Sequence, residues 1–85
     1  MSAVTIRYWA AARDAAGATE ERYDASTLRD LVQLARQRHP GERFAAVLGC
    51  CSFVVDDAPV GTRDHATIAL GEGTVVEALP PFAGG

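Results

Sequence analysis

The sequence predicts an α+β domain in which one main helix packs on one face of a mixed sheet. Two observations predict it: an alternating polar and apolar segment opens the chain, and an amphipathic helical segment precedes further strand-like segments. At 85 residues the chain can build one hydrophobic core but not two. We therefore expect a single domain over residues 1–79, followed by a flexible tail over residues 80–85.

The first element is a predicted strand over residues 3–9. Apolar side chains recur there at every second position, which is typical of a strand with one buried face. These side chains are Val4, Ile6 and Tyr8. Residues 11–18 end at Gly17, and the polar residues 19–24 are expected to pair back as an edge strand. The two strands would then form a hairpin.

An amphipathic helix is predicted to begin after Thr27. Thr27 and Asp30 have the spacing of a capping box. Five apolar residues fall on one arc of the helical wheel: Leu28, Leu31, Val32, Leu34 and Ala35. Basic residues fill the last turn, where positive charge complements the helix dipole, and Pro40 ends the helix. His39 is therefore interpreted as a helix-end residue rather than a metal ligand.

The second half of the chain contains mostly strand patterns. Residues 42–49 are expected to form one helical turn that ends at Gly49. Residues 51–61 indicate a strand, a turn and a return strand, and residues 74–79 form a last strand that Pro80 ends. Placing the first and last strands side by side at the centre of the sheet covers the most apolar strands. This arrangement is the β-grasp, or ubiquitin-like, topology.

Composition excludes several function classes. The net charge of −3 comes from eight arginines and eleven scattered acids, with no basic stripe, so nucleic acid is not an expected partner. The sequence shows neither a charged segment leading into an apolar leader nor an 18-residue apolar run. We therefore expect no membrane partner and a cytoplasmic location.

Few side chains carry chemistry of their own. Cys50 and Cys51 are adjacent, which disfavours a bridge between them, so we expect both to be reduced, one packed in the core and one facing out; a reactive thiol is the alternative. Asp56 and Asp57 indicate a turn, and no metal site is predicted. Gly71-Glu72-Gly73 also indicates a turn.

The sequence ends in L-P-P-F-A-G-G, residues 79–85, and this segment carries the functional hypothesis. Pro80 and Pro81 favour an extended backbone, and Phe82 could anchor the tail in a partner's pocket. Ala83 and Gly84 lead to Gly85, and glycines without a Cβ can pass through a narrow slot. The Gly85 α-carboxylate could attack the α-phosphate of ATP, and sulfur could displace the resulting adenylate to leave a thiocarboxylate.

These residues resemble the family of molybdopterin synthase small subunits, also called molybdopterin-converting factor subunit 1. The resemblance rests on L-P-P-F-A-G-G, on the opening V-T-I-R-Y-W-A-A-A-R-D and on the distance between them. It implies a ubiquitin-like sulfur carrier whose thiocarboxylate forms on Gly85. Residues 56–73 are a few residues longer than the family's hairpin and turn.

The resemblance also implies partners. An adenylylating activating enzyme would use ATP, a sulfur donor would load Gly85, and the large synthase subunit would receive the tail, with a heterotetramer as the expected assembly. The acceptor would be a cyclic pyranopterin phosphate, which needs two sulfurs and hence two loaded tails. The chain itself would bind no cofactor and would not be an enzyme by itself, because it shows no convincing acid-base pair or nucleophile triad.

Two alternatives and one compositional feature stay open. The chain could be a related carrier for thiazole or cysteine synthesis, or a ubiquitin-like binding module whose tail carries nothing. The sequence contains no lysine, which either reflects codon usage or prevents an activated Gly85 from acylating its own species.

Overall fold

The computed structural model describes residues 2–81, which form five strands, three helices and one 3₁₀ turn. The strands are β1 Ala3–Tyr8, β2 Glu20–Asp24, β3 Ser52–Val55, β4 Ala58–Pro59 and β5 Val75–Leu79. The helices are α1 Ala10–Ala16, α2 Leu28–Arg38 and α3 Glu42–Gly49. The 3₁₀ turn covers His65–Thr67.

The five strands form one sheet in the order β2-β1-β5-β3-β4. β1 and β5 pair in parallel at its centre, with Ile6 opposite Val76, and the other neighbours are antiparallel. The prediction that the first and last strands lie side by side is therefore confirmed. The architecture is the predicted β-grasp fold.

The alternating pattern of β1 places one face of the sheet in the core. Val4, Ile6 and Tyr8 are buried, as predicted, and Val76 and Ala78 of β5 are fully buried beside them. At about 25 cal/mol per Å² of apolar surface removed from water, burying each of the larger aliphatic side chains stabilises the fold by roughly 1.5–3 kcal/mol. The opposite face of the sheet carries Thr5, Arg7, Val75 and Glu77, which are exposed or half-buried.

Helix α2 covers the core face, and its N-terminus has the predicted cap. Thr27 has extended backbone, and its Oγ1 accepts a hydrogen bond of 3.2 Å from the Asp30 N–H. Of the predicted apolar arc, Leu28, Leu31 and Ala35 are buried and the other two are half-buried. His39 is the C-cap residue, as predicted.

The connection between β1 and β2 differs from the prediction. The two strands pair as predicted, but residues 10–16 between them form helix α1, where no helix was expected. Alanine has the highest helix propensity, and Gly17 ends the helix with a left-handed φ of 71° while its N–H donates to the Arg13 carbonyl. The helix predicted over residues 42–49 is longer than the single turn expected, because α3 has eight residues.

The β3–β4 connection is the tight turn predicted at the paired aspartates. Asp56 and Asp57 both have positive φ, 46° and 69°, as in a type I′ turn. Asp56 Oδ1 accepts a hydrogen bond of 3.0 Å from the Val75 N–H, which ties this turn to the start of β5. Asp57 makes no such bond within residues 2–81.

Replacing Asp57 with glycine is expected to stabilise the protein by roughly 0.5–1 kcal/mol, because glycine adopts a positive φ without a Cβ penalty. Asp56→Gly is the matched comparison: it gains the same freedom but loses the bond to Val75. Urea unfolding of both variants checks this. Equal midpoints for Asp57→Gly and wild type would contradict it.

Candidate functional site

The predicted tail leaves the domain from the middle of the sheet. The N–H of Trp9 donates to the Ala78 carbonyl at 3.2 Å, and Leu79 lies opposite Ser52 of β3. Pro80, which lacks an N–H, ends the ladder, as predicted. We call Leu79, Pro80 and Pro81 the tail base.

The two prolines of the tail base differ in their exposure to solvent. Pro80 is buried and Pro81 is exposed. The point at which the chain leaves the sheet is therefore fixed by a central strand. The other predicted tail residues, Phe82, Ala83, Gly84 and Gly85, lie outside the described residues, and their proposed roles stay predictions.

An exposed indole lies beside the tail base. At 45% exposure, Trp9 is the one large hydrophobic side chain among residues 2–81 that lies open to solvent. It follows β1 directly, next in register to Leu79, and by the alternation of β1 it lies on the same face of the sheet as Thr5 and Arg7. A cavity of about 260 Å³ opens beneath it, with Arg7 and Arg13 in its wall. An exposed aromatic of this kind is typical of an interface anchor.

A row of charges crosses the open face behind this indole. Arg7 lies between Glu20 of β2 and Glu77 of β5 in the strand register. Its Nε is 3.7 Å from Glu20 Oε1, and both side chains are 49% exposed, so this ion pair contributes little to stability. The surface around the tail base thus combines an apolar spot with adjacent charge of both signs.

The ThiS family model matches residues 6–85. The chain belongs to the ThiS family. The match covers the whole of L-P-P-F-A-G-G and all but the first two residues of V-T-I-R-Y-W-A-A-A-R-D, the two segments that carry the resemblance. No curated protein sequence matches the chain.

Solved structures of several ubiquitin-like proteins are similar to this ThiS-family chain. Small archaeal modifier protein 1 from Methanosarcina acetivorans has a TM-score of 0.84 and 18% identity, over 100% of this chain and 98% of that chain. The putative molybdopterin converting factor, subunit 1, from Pyrococcus furiosus has a TM-score of 0.78 and 25% identity, over 96% and 100%. Subunits 1 and 2 of molybdopterin-converting factor from Helicobacter pylori form a complex, matched with a TM-score of 0.70 and 23% identity over 98% and 99%.

These likenesses, with the family match, confirm the fold predicted for a ubiquitin-like sulfur carrier. They do not choose between pathways, because both modifier proteins and molybdopterin-converting factors share the fold. Within residues 2–81, no three His, Cys, Asp or Glu side chains converge as metal ligands. Every helix in the same range is too short or too polar to cross a membrane.

A buried polar cluster at the end of β1 was missed by sequence reasoning. Glu21 of β2 is only 8% exposed, and its carboxylate accepts hydrogen bonds from the Tyr8 hydroxyl at 2.7 Å and the Tyr23 hydroxyl at 2.8 Å. His39 Nε2 lies 2.8 Å from the same carboxylate and must donate, because an ionised carboxylate only accepts. Arg38 Nε, at 3.1 Å, adds a charged partner.

The cluster shifts the titration of its members. Burial alone would raise the pKa of Glu21, but the hydrogen bonds from Tyr8, Tyr23 and His39 outweigh it and hold that pKa below the usual 4.5. Burial and the nearby carboxylate raise the pKa of Tyr8 and raise that of Tyr23 to about 12. Glu21 is therefore ionised near neutrality and joins β1, β2 and the end of α2.

The two cysteines lie between α3 and β3, and β3 is the direct neighbour of β5 in the sheet. Both are free, Cys50 exposed and Cys51 half-buried, in agreement with the predicted reduced pair. The Cys51 thiol donates to the Val47 carbonyl at 3.3 Å, and burial raises its pKa to about 11. Cys51 therefore packs as a structural thiol.

Iodoacetamide is expected to alkylate Cys50 first at neutral pH, since only a very small fraction of the Cys51 thiol is ionised there. Intact-mass measurements on Cys50→Ser and Cys51→Ser check the order. Cys51→Ser should keep the fast phase and Cys50→Ser should lose it. The reverse assignment would contradict the packing of Cys51.

Proposed function

We propose that this ThiS-family chain is a sulfur carrier of molybdopterin biosynthesis, with Gly85 as the carrier residue. The family match that includes Gly84 and Gly85 is the observation that carries the proposal. The 25% identity to the putative molybdopterin converting factor subunit from Pyrococcus furiosus, over nearly the whole of both chains, supports the pathway. A central strand that launches the tail supports its use as a presented end.

The chemistry proceeds in three steps. The Gly85 carboxylate attacks the α-phosphate of ATP on an activating enzyme, which releases pyrophosphate and leaves an acyl-adenylate. Sulfide delivered by a sulfur donor attacks the carbonyl carbon, the bond to AMP breaks, and a thiocarboxylate remains. A thiocarboxylate is ionised near neutrality, so its sulfur can attack an electrophilic carbon of a cyclic pyranopterin phosphate. Water then hydrolyses the thioester that joins Gly85 to the pterin, which leaves the sulfur on the pterin and regenerates the Gly85 carboxylate.

In this proposal the chain is a carrier subunit and its partners are the catalysts. The large subunit of a molybdopterin synthase receives the loaded tail, and the complex of subunits 1 and 2 of molybdopterin-converting factor from Helicobacter pylori supports a partner of this kind. Trp9 and the tail base provide the first contact, because they form an exposed apolar spot where the tail begins. Two loaded chains serve each pterin, which fits a heterotetramer.

Consumption of the loaded chain by different acceptors tests the pathway. The thiocarboxylated chain is mixed with a molybdopterin synthase large subunit and cyclic pyranopterin phosphate, or with a thiazole synthase and its substrates. We expect loss of the thiocarboxylate mass, and formation of molybdopterin, only in the first mixture. Consumption only by the thiazole enzyme would assign the chain to the related pathway, and failure of every activating enzyme to load it would favour a binding module.

A further inference from the structure

The outer edge of β2 carries backbone groups without a partner. The N–H of Tyr8 donates to the Thr19 carbonyl, and the N–H of Ala25 donates to the Ser2 carbonyl. Hydrogen-bonded and non-hydrogen-bonded residue pairs alternate along an antiparallel ladder. The backbone N–H and C=O groups of Glu21 and Tyr23 therefore point toward β1 and bond to it. Glu20, Arg22 and Asp24 then point their N–H and C=O groups outward, and no backbone hydrogen bond within residues 2–81 reaches them.

A groove of about 470 Å³ lies where this edge ends, lined by Ser2, by Asp24 and the two residues that follow it, and by helix α2. One stripe of α2, Asp30, Gln33, Leu34 and Gln37, forms its far wall. Leu34 is half-buried and provides apolar surface, while the two glutamines provide amide groups. An unpaired strand edge beside a groove is the surface that accepts an extended peptide.

We propose that the β2 edge binds an extended peptide segment of a partner protein, which pairs as an additional strand and places alternate side chains in the groove along α2. The site does not depend on the sulfur chemistry of the tail. It lies on the far side of β1 from β5, so an occupant leaves the tail base accessible.

The charges of the edge specify the peptide. The open-face side chains of β2 alternate in sign along Glu20, Arg22 and Asp24. Directly opposite side chains across a ladder favour opposite charge. The partner strand therefore carries a basic, an acidic and a basic residue at alternate positions, with apolar residues between them that face Leu34.

A second copy of this chain fits the edge less well. In a symmetric pairing of two β2 strands, the second copy would offer Glu21 and Tyr23 to the groove side. Both residues are already held in the cluster with Tyr8 and His39, so they cannot enter the groove. The groove would stay empty, whereas a separate peptide fills it.

Titration of the isotopically labelled full chain with two synthetic peptides tests the proposal. One peptide contains Lys-Val-Glu-Val-Lys and the other has the inverted charges, Glu-Val-Lys-Val-Glu. We expect saturable amide shifts at Glu20, Arg22, Asp24 and Leu34 with the first peptide, and at least about tenfold weaker binding of the second.

Two variants separate edge pairing from charge. Arg22→Pro removes an outward N–H without breaking the ladder to β1, so it should fold and lose binding; Arg22→Ala keeps the N–H and should still bind. Unchanged β1 amide shifts confirm the fold of both. No saturable shift up to about 5 mM peptide, or equal binding by the two variants, would overturn the proposal. So would a wild-type dimer that Arg22→Pro converts to a monomer, because the edge would then belong to a second copy.

Discussion

Deleting Gly85 is expected to reduce sulfur loading and molybdopterin formation to background. The last residue supplies the carboxylate that the proposed activating enzyme adenylylates, and without it the reacting carbon lies one residue short of the catalytic groups. Displacement by even one residue removes the alignment on which such a transfer depends. An extra alanine after Gly85 should fail for the same reason.

Intact mass after incubation with an activating enzyme, ATP and a sulfur source measures loading as the replacement of one oxygen by sulfur. Both tail variants should unfold at the same urea concentration as wild type, since the last ladder bonds found within residues 2–81 belong to β5. Arg22→Ala changes the β2 edge alone and should load normally. Sulfur loading of a chain that lacks Gly85 would contradict the carrier proposal.

Replacing Glu21 with glutamine is expected to destabilise the fold by roughly 2–4 kcal/mol near neutral pH, because it removes the charged acceptor of several buried or half-buried donors. That is a large share of the roughly 4–13 kcal/mol expected for a domain of this size. Glu20→Gln, on the exposed side of the same strand, should change stability by less than about 0.5 kcal/mol.

The effect of Glu21 depends on pH in a defined direction. Its folded-state pKa lies below 4.5, so the stability it contributes is present above 4.5 and is lost as the pH falls through the folded-state pKa. Wild type should therefore approach Glu21→Gln in stability as the pH falls below 4.5. Urea unfolding between pH 3 and 7 measures this, and a Glu21→Gln midpoint at pH 7 equal to that of Glu20→Gln would contradict it.

The sheet was predictable because its signals are local or follow from burial. Alternation in β1, the Thr27 cap with the apolar arc of α2, and the turn at Asp56 each lie within a few residues. The central position of β5 followed from the need to cover apolar strands. Helix α1 was missed because its residues show propensity without an apolar stripe, and propensity alone is a weak signal.

The Glu21 cluster could not be predicted from local patterns. Its members come from β1, β2 and the end of α2, and a polar strand such as β2 gives no sign of which carboxylate turns inward. Alternation was the one available signal: Glu21 and Tyr23 share a face, and that face is the buried one. The tail residues after Pro81 were predicted from chemistry and family resemblance alone.

The parallel pairing of β1 with β5 determines when, during folding, a partner can recognise the protein. Contacts between residues far apart in sequence cost loop-closure entropy and slow folding, so the sheet can be completed only after the last strand has been made and has docked. Trp9 and the prolines that follow Leu79 come to lie at the ends of neighbouring strands only in that finished state. A partner that recognises them together would therefore distinguish mature molecules from nascent or damaged ones.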